Sequence, residues 1–65
     1  MQRYIIEAFG DGPDFQLAAH GPYKSEKERK TAGAQIDRET SGDSRLSRLN
    51  IRANGRADIM PMPVR

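Results

Sequence analysis

The chain has no cysteine and no tryptophan, and among its 65 residues there is one histidine. Without cysteine there is no disulfide to staple a small fold and no thiolate to hold a metal. A zinc site would need His20 with carboxylates alone, so no metal is expected. Apolar runs are equally scarce: none approaches the roughly 18 residues that a membrane-spanning helix needs. Met1-Gln2-Arg3 leads straight into a strand-like segment with no signal-type apolar stretch. A cytoplasmic protein without membrane contact is expected.

Large apolar side chains are few as well. Val, Ile, Leu and Phe together number 11, and seven further apolar positions are alanine. A net charge of +2 is too small to hold such a chain unfolded by repulsion. One small domain with a thin core is the reading, and self-association as a homodimer, by sheet-face packing or edge pairing, is the expected remedy.

The hydrophobic pattern divides the chain into five pieces. Arg3 to Phe9 alternates, Gly10-Asp11-Gly12-Pro13-Asp14 is a dense turn signal, and Phe15 to Ala19 alternates again. A four-residue loop would pair Ala8 with Phe15, Ile6 with Leu17 and Tyr4 with Ala19, with Gly21-Pro22 breaking the second strand. Ser25 and Glu28 form a capping box, Ser25 accepting from the amide of residue 28 and Glu28 reaching back, which opens a helix from Glu26 to about Thr40 that Gly42 stops. Its inward stripe is Arg29, Ala32, Gly33 and Ile36, small enough for close approach to a sheet. Strands over 46–53 and 56–60 flank Asn54-Gly55. A two-residue turn would bury Asp58 or expose Ile59. A three-residue loop, Ala53-Asn54-Gly55, with a left-handed Gly55 instead pairs Leu49 with Ile59 and Ile51 with Ala57. After Met60, Pro61 and Pro63 remove ladder donors, so the tail should leave the sheet.

The fold class is therefore α+β: a single ββαββ domain over 1–65, its four-stranded, mainly antiparallel sheet carrying one helix on one face. Residues 1–23 form the first hairpin, 25–41 the helix, 45–60 the second hairpin and 61–65 an extended tail. The helix is expected to cover the more apolar face, with Tyr4, Ile6, Phe15, Leu17, Leu49, Ile51 and Ile59.

The other face is then the candidate site. From Asp43 onward the basic residues are Arg45, Arg48, Arg52, Arg56 and Arg65, against Asp43 and Asp58. Arginine suits planar, bidentate contact with phosphate or carboxylate. Arg48, Arg52 and Arg56 share a face with Asn50, and on the first hairpin that face holds Ile5, Phe9, Ala18 and His20. An apolar patch rimmed by arginine is what a partner-binding surface looks like; a solvated sheet face is the other reading of the same row. The Met60-Pro61-Met62-Pro63 tail is a further contact segment or a frayed end.

Catalysis finds no support. The serines lie near caps and turns, not in a nucleophile elbow. The glycine-rich turn joins two strands, lacks a Walker lysine and carries Asp11 and Asp14 where a phosphate would sit. No enzyme, no catalytic residue and no cofactor are expected.

The succession of Arg3-Tyr4-Ile5-Ile6, Gly21-Pro22-Tyr23, a capped charged helix, Leu49-Asn50-Ile51 with Asn54-Gly55, and Ile59-Met60-Pro61 resembles small proteins of phages and other mobile elements. The helix departs from that type in being less rich in alanine and leucine. The resemblance implies a non-enzymatic protein-binding module, an inhibitor of a host nucleic-acid-handling or defence complex such as a CRISPR effector, as anti-CRISPR proteins are. The alternative is a small basic protein that binds nucleic acid through the arginine-rich sheet face.

Overall fold

The computed structural model describes residues 1–10 and 12–63. Strand β1 (Gln2–Phe9) is followed by a one-turn helix at Gly12–Asp14, strand β2 (Gln16–Tyr23), helix α1 (Glu26–Glu39), strand β3 (Arg45–Ile51) and strand β4 (Ala57–Pro61). The expected ββαββ order and α+β class are observed. All neighbouring strands are antiparallel and their order is β2-β1-β3-β4. β2 and β3 therefore run parallel on either side of β1, and α1 is the crossover between them.

The second hairpin has the expected register, with Leu49 opposite Ile59 and Ile51 opposite Ala57. Its loop closes through Arg52 N–H to Arg56 O at 2.8 Å and Gly55 N–H to Arg52 O at 2.9 Å, and Gly55 sits at φ +85°. The first hairpin differs from expectation: Ala8 pairs with Leu17 and Ile6 with Ala19, a slide of two residues. The reason is the helical turn, closed by Phe15 N–H to Gly12 O at 3.2 Å, which uses Phe15 in the loop instead of the strand. Gly10, at φ +92°, starts this loop where a Cβ would lie 2.6 Å from Asp14 O. A slide of two preserves the side-chain alternation, so the faces stay as read. Gly21-Pro22 makes a bulge opposite Tyr4 instead of ending the strand, since pairing resumes at Arg3 with Tyr23.

Ser25 caps α1, its Oγ accepting from Glu28 N–H at 3.1 Å. The Glu28 carboxylate reaches back one residue further than a capping box requires, to Lys24 N–H at 3.2 Å. The inward stripe is as read: Arg29 and Gly33 are buried, and Ala32 and Ile36 pack on the core.

Two further expectations fail. The tail does not leave the sheet at Met60: Pro61 pairs with Ser47, Met62 N–H donates to Leu46 O at 3.0 Å, and Met62 is buried. Amides along an edge strand alternate between the neighbour and solvent, so an inward Met62 amide turns the nitrogens of Pro61 and Pro63 outward, where a missing donor costs nothing. Val64 and Arg65, the end of the expected tail, lie outside the described residues, as does Asp11 in the first turn.

The second failure concerns the faces. The core under α1 is Ile5, Leu46 and Met62, with Tyr23, Ala32 and Ile36 against it. Ile5 is fully buried, and its register partners are His20 and Arg48. The helix thus covers the face expected to be open, and the more apolar face is uncovered. The hydrogen bonds of the helix supply a reason: Arg29, on its inward stripe, finds its acceptors in Asn50 on this face and in the Tyr4 and Leu49 carbonyls beside it. Acceptors for a buried cation, not the apolar count, select the covered face.

The second turn can be tested directly. Nothing lies within 4 Å of a Cβ built on Gly55, so substitution there meets backbone strain alone. Gly55→Val should lower stability by about 1 kcal/mol or more, and Gly55→Asn by much less, in urea denaturation, because asparagine tolerates positive φ and a β-branched residue does not.

Candidate protein-binding face

Arg48, Arg52, Arg56, Asn50, Ile5 and Phe9 do not form the open patch that alternation implies. Ile5 lies beneath the helix. The Asn50 Oδ1 accepts from the Arg29 guanidinium at 2.7 Å. Arg48 is half-buried, its Nη1 3.7 Å from Glu26. Arg52 Nε donates to Asp58 at 2.9 Å. Arg56 is exposed by the turn, and Phe9 lies at the far end of the sheet beside Phe15, Asp43 and Arg45. The arginines are largely matched by acids within the fold.

The acceptors of Arg29 are what sequence reading missed, although it placed Arg29 in the inward stripe. That residue is 2% exposed, and besides Asn50 its guanidinium donates to Glu26 and, at 3.4 and 3.3 Å, to the carbonyls of Tyr4 and Leu49. The signal was available: an arginine in the buried stripe of a helix demands acceptors on the sheet beneath it. Arg3, Glu7, His20, Arg48 and Asn50 populate one face, and the other carries one charge, Arg45 at the end of β3.

Glu7 anchors the opposite end of the covered face. Its carboxylate accepts from Ser44 Oγ at 2.7 Å and lies 2.9 Å from His20 Nε2. Those two bonds hold its carboxyl below the ordinary range, Ser44 contributing most, against burial that raises it. The order Ser–Glu–His places the carboxylate in the middle, so the imidazole cannot take the serine proton as a nucleophilic triad requires. Arg29, first, and Arg48 likewise lower the Glu26 carboxyl. Among the described residues, no three His, Asp or Glu side chains come together to hold a metal ion, and no helix is long and apolar enough to cross a membrane.

The uncovered face is built from the alternate residues of all four strands. β2 gives Leu17 and Ala19; β1 gives Tyr4, Ile6 and Ala8; β3 gives Arg45, Ser47, Leu49 and Ile51; β4 gives Ala57, Ile59 and Pro61. The Tyr4 hydroxyl donates to Gln2 Oε1 at 3.2 Å, turning its polar end to the margin. Leu17 is 64% and Ile59 62% exposed, and both lie on outer strands. In a chain with 31% charged residues, the one charge among these positions is Arg45, exposed at the first position of β3. No family model matches the chain, and neither the curated proteins nor the solved structures yield a significant match.

Two measurements test the anchors. Asn50→Ala should cost about 1–3 kcal/mol in chemical denaturation, since it strips a buried guanidinium of its shortest acceptor other than Glu26. Carboxyls with lowered folded values stabilise the fold fully above their unfolded values, near pH 4.3, and lose that contribution as pH falls toward the folded ones. Stability should accordingly be flat from about pH 6 to 5 and drop below about 4, with a shallower drop in Glu7→Gln.

Proposed function

We propose that this chain is a non-enzymatic protein-binding module and that its contact surface is the uncovered sheet face. The observation that carries this reading is a continuous face, spanning four strands and uncharged but for Arg45 at its end, with isoleucine and leucine exposed on its outer strands. Exposed apolar surface in one patch, rimmed by polar groups, marks a site of association. Recognition there is by shape and apolar burial, which a protein surface supplies and a phosphate backbone does not. The arginine pairing with Glu26 and Asp58 favours protein over nucleic acid for the same reason: those cations already have anionic partners. The resemblance to phage-type proteins adds the class of target, a host nucleic-acid-handling or defence complex that the module inhibits by occupying a surface.

Affinity capture with the full chain, before and after nuclease treatment, is the test. Ile59→Lys places a charge on the face at a site that is open in the single copy, so it should abolish capture while leaving the circular dichroism spectrum unchanged. Arg52→Gln with Arg56→Gln should alter capture little. The opposite pattern, nuclease-sensitive capture lost in the arginine pair and kept in Ile59→Lys, would favour direct nucleic-acid binding. A log-log salt slope near −0.7 per phosphate contact on single strands would then be seen.

A further inference from the structure

We infer that the uncovered face is the interface of a homodimer in which two copies pack sheet against sheet, with their helices outside. This rests on the protein-binding reading and names the protein that the face binds first. Only three large apolar side chains, Ile5, Leu46 and Met62, are buried in the single copy among the described residues. The isoleucines and leucines of the other face have no second layer over them. A sheet that is apolar on one side finds its stable place in a layered core, and a chain this small, without cysteine, reaches one by association.

The face fits a copy of itself for two further reasons. A two-fold interface brings each patch against the same patch, so like charges near the axis would repel; the one charge on this face, Arg45, stands at the end of β3, away from Leu49 and Ile59. The space for a contact is also large enough. The molecule measures 34 × 25 × 15 Å, and the two longer dimensions bound the face. That bound is about 850 Å² a copy, or at most about 1,700 Å² over two copies, so the face can reach the range of roughly 1,200–2,000 Å² that stable interfaces bury. Leu17 and Ile59, on the outer strands, widen the contact beyond the central pair of strands. The charged surface of α1, with Lys27, Lys30 and Arg38, remains outside in both copies and available to a further partner.

Light scattering across a dilution series of the purified full chain should give twice the 7.3 kDa chain mass at high concentration, and Ile59→Lys should return it to the single mass. Two cysteine variants locate the contact in an otherwise cysteine-free chain: Ala19→Cys on the face and Lys27→Cys on the outer side of the helix. Maleimide labelling of Ala19→Cys should be slowed about tenfold or more relative to Lys27→Cys where the mass is doubled, and should recover on dilution. These cysteine measurements decide the matter even if Ile59→Lys fails to fold. A single-chain mass at every concentration overturns the homodimer, as does a doubled mass with Ala19→Cys labelled as fast as Lys27→Cys, which would mean edge pairing. A single-chain mass combined with capture of another protein that Ile59→Lys abolishes overturns the homodimer alone and leaves the protein-binding face standing. Loss of both overturns both.

Discussion

A buried guanidinium governs this fold. Arg29 is all but inaccessible, and a cation taken out of water at that position is tolerable only where acceptors surround it. The helix brings one, Glu26, from its own first turn; the sheet brings Asn50 and the carbonyls of Tyr4 and Leu49. The uncovered face, whose one charge is Arg45, has no comparable acceptor for an arginine. Arg29 and the polar face of the sheet are therefore a matched pair, and turning the sheet over would strand the charge.

The covered layer is consequently an apolar spot between two polar anchors. Arg29 with Glu26 and Asn50 lies toward one end of β1 and β3; Glu7 with Ser44 and His20 lies toward the other. Ile5 and Leu46 sit between them, and Met62 closes the edge. The Arg29 end specifies one docking of the helix, because a shift would break the bonds from its guanidinium to Asn50 and to the Tyr4 and Leu49 carbonyls together. The covered layer supplies less apolar burial than a helix-on-sheet core normally does, which is why the unused face matters energetically.

Three of the eight arginines are taken up by the same architecture. Arg29 and Arg48 meet Glu26, and Arg52 meets Asp58. A basic isoelectric point near 9.4 thus coexists with a fold in which several cations are internal fittings. What distinguishes the surface is an apolar plane on one side and a charged helix on the other, a polarity suited to a molecule that is covered on one side and presents the opposite one.

Much of this was legible from local patterns. Ser25 at the cap, the inward stripe of Arg29, Ala32, Gly33 and Ile36, and the bulged loop ending at Gly55 all depend on residues within a turn or two of one another, and each is observed. The division of residues between the two faces was legible too, since alternation survives even the two-residue slide in the first hairpin. Which face the helix covers was not. A count of apolar residues along the strands points to the other face, and the choice between them depends on where the acceptors for Arg29 come together across β1 and β3. Met62 is likewise a tertiary matter, its burial depending on which way the edge-strand amides turn beside Leu46. Local chemistry determined the elements and their faces; the pairing of strands distant in sequence, which assembles the acceptors of Arg29, decided which face became the core and which stayed uncovered.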